Sequence, residues 1–259
     1  MCNTCGCNIT PANKYLLDTD HSNTSVEVLQ NLMSENDRLA THNRQHFDEH
    51  NVLVINLMSS PGSGKTMLLE STIDALNKQY KIAVIEGDLE TENDAERIRA
   101  KGVTAYQITT SSACHLDAHM IHNALHHLDL SNIDILFIEN VGNLVCPASF
   151  DLGHHHNVCL LSVTEGDDKP IKYPVMFRKA DLVLLTKTDL LPFLDDFNPD
   201  KPQEHLRQLA NAAPVVQISA KNHAGMDHWY AWLSNEVNRH HKTDQSRLAM
   251  SSVRRAHER

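Results

Sequence analysis

Seven short apolar segments recur along the chain from residue 52 onward. They span residues 52–58, 82–86, 105–108, 135–139, 158–164, 182–186 and 215–218. Runs this apolar are typical of strands that are buried on both faces of a sheet. Because amphipathic helical segments alternate with them, the pattern predicts an α/β fold: a mostly parallel, doubly wound sheet with helices on both faces.

Helical periodicity extends the predicted domain on both sides of these strands. Apolar residues recur at helical spacing over residues 25–49, with Ser25 as a candidate N-cap, and a last helix is predicted over about 227–239. We therefore divide the chain into an N-terminal cysteine motif with a polar linker (1–24), a domain with a leading helix (25–239) and a polar basic tail (240–259). The composition of the tail predicts disorder.

Charge and composition exclude several classes of protein. The 259 residues carry a formal net charge of -10, which argues against a binder of nucleic-acid backbones. No apolar run reaches the roughly 18 residues of a membrane span, and the N-terminus lacks the pattern of a secretory signal. We expect a cytoplasmic protein that contacts neither nucleic acid nor membrane.

Cysteine and histidine indicate metal chemistry. There are six cysteines and 18 histidines, and Cys2, Cys5 and Cys7 crowd around Gly6. Three thiolates in a tight turn suit Zn²⁺ or Ni²⁺, and the α-amino group of Met1 would complete a planar set that favours nickel. A redox pair or a chance cluster is the alternative reading.

A phosphate-binding loop follows the first apolar segment. Residues 59–66 read SSPGSGKT, a P-loop in which Ser59 replaces the usual first glycine. Gly62, Ser63 and Gly64 would turn backbone N–H groups toward phosphates. Lys65 would reach the β- and γ-phosphates, and the Thr66 hydroxyl would bind Mg²⁺.

Two later segments indicate a guanine base. The sequence TKTD at 186–189 resembles the N-K-x-D motif, with Lys187 along the base and Asp189 accepting hydrogen bonds from guanine. Thr186 replaces the asparagine of that motif. Ser219, Ala220 and Lys221 match the S-A-K loop that contacts guanine O6, so we predict GTP and GDP as ligands in preference to ATP.

Acidic residues follow two of the predicted strands. Glu139 ends one strand and would hold Mg²⁺ through water, and Gly142, three residues later, would face the γ-phosphate. Asp88 follows another strand and would orient the attacking water or the metal. An exposed loop acid is the alternative for Asp88.

A second candidate metal set comprises Cys114, His115 and Cys146. We expect Cys114 and His115 to begin the helix after segment 105–108. Adjacent helical residues face different ways, so one ion held by both needs a helix start or a second subunit. A buried thiol is the alternative for Cys114, and Cys159 is predicted to lie in the core. The triplet at 154–156 is either a metal ligand set or a solvated polar run.

Together these motifs resemble the HypB family, the nickel-insertion GTPases of [NiFe]-hydrogenase maturation. The resemblance rests on MCxxCGC at 1–7, SSPGSGKT at 59–66, CH at 114–115, ENVGNLVCP at 139–147 and EGDDKP at 165–170. It implies a SIMIBI-class P-loop fold that dimerises with GTP and a nickel site at Cys2, Cys5 and Cys7. It also implies a zinc or nickel site at Cys114, His115 and Cys146 in the dimer interface.

The same resemblance implies a function and partners. A member of this family hydrolyses GTP and delivers nickel to the hydrogenase large-subunit precursor. It works with a HypA-type metallochaperone and, in some members, a histidine-rich prolyl isomerase.

Three other functions remain open from the sequence. One is a urease-type nickel accessory GTPase, against which the N-terminal cysteines argue. A second is a nickel or zinc store or sensor in which nucleotide only sets the conformation. A nucleotide kinase is the third, although we identify no acceptor pocket or lid arginines.

Overall fold

A computed structural model describes residues 25–88, 93–110 and 113–257. The predicted ligands Cys2, Cys5 and Cys7, with the linker that follows them, lie outside the described residues.

Seven strands form one sheet in which every described pairing is parallel. The strand order is β3-β2-β4-β1-β5-β6-β7. The strands are β1 (Leu53–Ser59), β2 (Ile82–Asp88), β3 (Thr104–Thr109), β4 (Ile135–Glu139), β5 (His156–Ser162), β6 (Leu182–Thr186) and β7 (Val215–Gln217). The predicted fold class is confirmed, and each predicted strand is present: β4 and β6 have the predicted bounds, and the other five differ by one or two residues at their ends. For example, β5 ends at Ser162 because Ser162 caps a 3-10 turn at Val163–Glu165.

Eight α-helices cover the sheet in the described residues. They are α1 (Ser25–Glu49), α2 (Lys65–Leu76), α3 (Asn93–Arg99), α4 (Ala118–Leu125), α5 (Lys169–Lys172), α6 (Pro174–Arg178), α7 (Lys201–Gln208) and α8 (Met226–His257). No helix in the described ranges is long and apolar enough to cross a bilayer.

The central strand β1 is buried along its whole length and packs on both faces. Ile55 belongs to a core cluster with Ile73 of α2 and Trp229 of α8. The adjacent Val54 belongs to a second cluster, with Phe47 of α1 and residues of α4. Successive side chains of a strand point to opposite faces, so an all-apolar strand requires helices on both.

Two sequence expectations about helices are wrong. The last helix does not end near residue 239 but continues through the tail to His257. Residues 240–257 contain neither glycine nor proline, and a polar composition alone does not stop a helix. Nor do Cys114 and His115 begin a helix, because α4 starts at Ala118. The side chain of Asp117 caps α4 by accepting a hydrogen bond from Met120 N at 2.8 Å.

The leading helix α1 is fixed to the domain by buried polar contacts. Asn43 is fully buried, and its Nδ2 donates to the carbonyls of Ala118 (2.9 Å) and Leu152 (3.2 Å). Arg44 forms an ion pair with Asp151 at 2.8 Å. These contacts place α1 directly against α4.

Candidate functional site

The P-loop joins β1 to α2 at the edge where the parallel strands end. Gly62 and Gly64 have φ angles of 75° and 98°, a region that residues with a side chain rarely adopt. Gly64 is the N-cap of α2, so the N–H groups of the first helical turn point into the loop. The predicted anion-binding geometry is therefore present.

Ser59, at the position of the missing glycine, contacts the P-loop lysine. Lys65 Nζ donates to Ser59 Oγ at 3.1 Å, and both residues are buried. The Ser59 hydroxyl donates in turn to the carbonyl of Ser60 at 2.7 Å. This chain holds the lysine ammonium beside the loop, where a phosphate oxygen would replace the hydroxyl as acceptor.

A pocket of about 460 Å³ opens over the P-loop and extends to the ends of β6 and β7. Its lining contains most of the predicted nucleotide-binding residues: Gly62, Ser63, Gly64, Lys65, Thr66, Glu139, Lys187, Asp189, Ser219, Ala220 and Lys221. The structure thus brings together segments that are more than 100 residues apart in sequence.

Hydrogen bonds organise the base-binding end of this pocket. Thr186 Oγ1 donates to the carbonyl of Ser63 at 2.7 Å, which ties β6 to the P-loop. Ser219 Oγ donates to Asp189 Oδ1 at 2.6 Å and so orients the carboxylate. Lys187 adopts a left-handed backbone with φ 59°. The TKTD and SAK segments therefore form one unit with the phosphate-binding loop.

Three carboxylates converge beside Thr66. Oxygen atoms of Glu86, Asp94 and Glu139 lie within 4.8 Å of one another, and Thr66 Oγ1 donates to Glu139 Oε1 at 3.1 Å. Among the described residues, Glu86 Oε2 and Glu139 Oε2 are buried without a hydrogen-bond partner. Unsatisfied carboxylate oxygens next to a threonine hydroxyl fit the ligand preference of Mg²⁺.

Two of these carboxyl groups have raised pKa values. Burial raises the pKa of Glu86 to about 8, helped by the nearby Glu139 carboxylate. Burial likewise raises the pKa of Glu139 to about 7, although Lys65 opposes the shift. A divalent cation would remove the repulsion and ionise both groups.

Sequence reasoning missed three residues of this site. Glu86 pairs with Glu139 in the register of β2 against β4, and Asp94 lies in the first turn of α3. Arg97 also lines the pocket, where it pairs with Asp94 and Glu70. The acidic first turn of α3 was a usable signal, but the closeness of Glu86 to Glu139 exists only once β2 and β4 are paired.

Two predicted residues lie beside the pocket rather than in its lining. Asp88 ends β2 and pairs with Thr109 of β3. Gly142 packs against the P-loop, where an added Cβ would lie 2.9 Å from Pro61 Cα. No residue other than glycine fits this close approach, so the loop after β4 rests directly on the P-loop.

The second candidate metal set is assembled at the same edge of the sheet. Ligand atoms of Cys114, His115 and Cys146 lie within 4.8 Å of one another. His115 stacks on Phe150, burial lowers its pKa to about 4, and its Nε2 has no partner among the described residues. A neutral imidazole with an unused nitrogen beside two thiols fits a nickel or zinc ion.

The loop after β4 also contacts this set. Asn140 Oδ1 accepts a hydrogen bond from Leu116 N at 3.2 Å, and Asn143 Nδ2 donates to the carbonyl of Cys114 at 3.2 Å. Residues 139–146 therefore connect three features. These are the Glu139 carboxylate at the candidate cation site, the contact of Gly142 with the P-loop, and the cysteine-histidine set formed by Cys114, His115 and Cys146.

The remaining candidates are largely packed into the domain. Cys159 is fully buried in β5, as predicted for a core residue, and burial raises the pKa of its thiol. Of the histidine triplet, His154 is buried. His155 uses both ring nitrogens, accepting from Val54 N at 2.9 Å and contacting Asp48 Oδ1 at 3.1 Å. Of the two alternatives for this triplet, the solvated run is wrong for His154 and His155, which are packed into the domain. The metal alternative stays a prediction, because ligand atoms of His155, Asp48 and His240 lie within 4.8 Å of one another.

Comparison with known proteins agrees with this geometry. Residues 53–217 match the family description "CobW/HypB/UreG, nucleotide-binding domain". Over 211 residues the chain is 52% identical to the hydrogenase maturation factor HypB of Azotobacter vinelandii, covering 82% of this chain and 69% of that relative. The chain belongs to the HypB family.

Other HypB proteins extend the comparison. The hydrogenase/urease maturation factor HypB of Helicobacter hepaticus is 49% identical over 201 residues, covering 76% of this chain and 82% of that protein. A crystal structure of HypB from Helicobacter pylori in complex with nickel superposes with a TM-score of 0.76 at 42% identity. It covers 79% of this chain and 96% of that one. The sequence-based recognition is confirmed.

Proposed function

We propose that this HypB-family chain is a cytoplasmic GTP-hydrolysing metallochaperone. It binds nickel and delivers it to the [NiFe]-hydrogenase large-subunit precursor. The observation that carries the proposal is the loop 139–146, in which Glu139 faces the cation site, Gly142 touches the P-loop and Cys146 belongs to the cysteine-histidine set. A nucleotide-dependent movement of this loop changes the geometry of the metal ligands.

The positions of residues in and beside the pocket support the following roles. Lys65 would stabilise negative charge on the transferred phosphoryl group, and Thr66 and Glu139 would hold a Mg²⁺ ion that offsets the charge of the nucleotide phosphates. Asp88 acts near this cation, orienting water or metal. At the other end of the pocket, Asp189 reads guanine, supported by Lys187 and the SAK loop.

Two sites handle the transported metal. Cys2, Cys5 and Cys7 bind nickel tightly, and Cys114, His115 and Cys146 bind nickel or zinc at the interface of a GTP-dependent homodimer. The partners are a HypA-type metallochaperone, in some cases a histidine-rich prolyl isomerase, and the hydrogenase precursor.

A delivery assay tests the proposal. The nickel-loaded chain is mixed with apo large-subunit precursor and the HypA-type partner, and nickel in the precursor is measured after separation. We expect transfer with GTP and much less with a non-hydrolysable analogue or with GDP. Equal transfer in all three conditions contradicts a GTP-driven delivery protein and favours a metal store.

Urease is the second candidate target. It is favoured by the name of the Helicobacter hepaticus relative, a hydrogenase/urease maturation factor. Running the same assay with apo-urease in place of the hydrogenase precursor distinguishes the two targets.

A further inference from the structure

Two pairs of histidines face each other across α1 and α4. His42 and His46 are one helical turn apart on α1, and His126, the C-cap residue of α4, follows His122 of that helix by one turn. Residues at this spacing lie on the same face of a helix. The ring centroids are 4.5 Å apart for His42 and His46, 5.3 Å for His42 and His122, and 5.3 Å for His122 and His126. None of the four lines the P-loop pocket.

Hydrogen bonding fixes the tautomer of the central histidine. The Nδ2 group of the buried Asn43 donates to two backbone carbonyls, so its Oδ1 is left to accept. His122 Nδ1 lies 3.2 Å from that oxygen and must therefore be the donor. The proton is then on Nδ1, and the Nε2 lone pair of His122 is available to a ligand. A metal-binding histidine is commonly oriented in this way by an outer partner.

The α1 pair already has the spacing of two ligands on one ion. His42 Nε2 and His46 Nε2 are 3.1 Å apart in a hydrogen bond between the two rings, which a shared ion would replace. Two nitrogens bound at about 2.0–2.1 Å are separated by roughly 2.9 Å in octahedral or square geometry and roughly 3.4 Å in a tetrahedron. The observed separation lies between these values.

The surroundings suit a cation. A surface pocket of about 300 Å³ is lined by His46, His50, His122 and His126, with Asp129 also in the lining and no lysine or arginine among the described residues that line it. His50 Nδ1 donates to the carbonyl of His46 at 2.9 Å, so its Nε2 is also free of the proton. Burial, followed by the neighbouring histidines, lowers the pKa of His122, which keeps this ring neutral and able to bind metal.

We propose that one divalent late-transition-metal ion, nickel or zinc, binds between the two helices through the imidazoles of His42, His46, His122 and His126. Without the ion, no three of these rings have ligand nitrogens within 4.8 Å of one another, so binding requires the exposed His42 and His126 rings to rotate onto the ion. Such a site contains no thiolate, which distinguishes it from the cysteine-containing sets. The ion cross-links α1 to α4 and so couples the leading helix to the domain. The site does not depend on the nucleotide function proposed above.

The experiment measures nickel and zinc stoichiometry of the metal-stripped full-length chain by equilibrium dialysis and elemental analysis. The double variants His46→Gln/His122→Gln and His42→Gln/His126→Gln should each bind one ion fewer than wild type at matched free metal. Replacing a residue that only orients a metal ligand lowers metal affinity by roughly 10- to 100-fold. In each double variant the affinity of the proposed site should fall by more than this. The near-ultraviolet thiolate-to-nickel absorption should not change.

The exposed His228 on α8 provides the control, because His228→Gln should leave the stoichiometry unchanged. The second double variant replaces two exposed histidines and so guards against misfolding caused by loss of the His122–Asn43 contact. Wild type should also gain more thermal stability on adding Ni²⁺ than either double variant, in which only the cysteine-containing sets remain to bind the ion. Wild-type stoichiometry in either double variant, or a parallel loss of the thiolate absorption, overturns the proposal.

Discussion

Thr186 Oγ1 donates a hydrogen bond of 2.7 Å to the backbone carbonyl of Ser63, joining the end of β6 to the middle of the P-loop. Both residues are buried. Thr186 stands where an N-K-x-D motif has asparagine, and its hydroxyl links the base-reading segment to the phosphate-binding loop. The threonine at this position therefore connects the two ends of the pocket.

Replacing this threonine tests the connection. Thr186→Val keeps the shape but leaves the Ser63 carbonyl without its donor, so GTP and GDP should bind about fivefold more weakly, in line with roughly 1 kcal/mol for a hydrogen bond. Titration with a fluorescent nucleotide measures the change. Thr104→Val, on an exposed edge-strand residue, is the control. Unchanged affinity in Thr186→Val means that the bond does not support the pocket.

Asp189 should determine the choice of base. Asp189→Asn replaces one carboxylate oxygen with a donor, which opposes the N–H groups of guanine but has no such effect on adenine. We expect GTP affinity to fall at least about tenfold, in line with roughly 1.5–3 kcal/mol for hydrogen bonds to charged groups, and ATP affinity to change little. Competition binding with both nucleotides measures this, with the exposed Asp196→Asn as control. Equal loss for GTP and ATP contradicts guanine recognition.

Lys65 should be needed for turnover. Lys65→Ala removes the ammonium that stabilises the transferring phosphoryl group, and GTP hydrolysis should fall about 100-fold or more. Phosphate release under saturating GTP is the measurement. Lys78→Ala, on an exposed residue beyond the end of α2, should hydrolyse GTP normally. Wild-type turnover by Lys65→Ala is incompatible with the P-loop assignment.

Acid should destabilise the fold through buried histidines. Burial lowers the pKa of His154 to about 4, against about 6.5 for an unfolded histidine. Between these values the unfolded chain binds a proton that the folded chain does not. Stability is therefore complete above about pH 6.5 and is lost as the pH falls toward 4, by up to about 1.4 kcal/mol per pH unit for each proton.

Urea unfolding at several pH values checks this dependence. His154→Gln should reduce the slope between pH 6.5 and 4 by about one proton. The remaining slope includes His155, whose pKa burial also lowers to about 4. His228→Gln, on an exposed residue, is the control and should leave the slope unchanged. An unchanged slope in His154→Gln contradicts the prediction, because it means that His154 takes up its proton while the protein is folded.

Much of the fold follows from local sequence. The seven strands are recognisable because a doubly covered parallel sheet needs continuous apolar runs, and the P-loop because Gly62 and Gly64 adopt backbone angles that favour glycine. These signals lie within a few adjacent residues, so no knowledge of the tertiary structure is required to read them.

Long-range pairing accounts for what the sequence did not reveal. Glu86 joins the cation site only because β2 lies next to β4, which brings it beside Glu139. His122 faces His42 only because buried contacts of Asn43 place α1 on α4. The predicted start of α4 at Cys114 is wrong because Asp117 supplies the side-chain cap, so the helix begins only at Ala118.

The most direct test of the central claim is nickel affinity in two nucleotide states. Gly142 touches the P-loop, and Cys146 follows within the roughly 14 Å that four extended residues span. Nickel and zinc affinities are measured with GDP and with a non-hydrolysable GTP analogue, in wild type and in Cys146→Ala. The account predicts that the metal affinity of wild type differs by roughly 5- to 150-fold between the two nucleotide states, and that bound metal changes nucleotide affinity by the same factor. Both effects should be lost in Cys146→Ala. Equal metal affinity with GDP and with the GTP analogue in wild type contradicts the account.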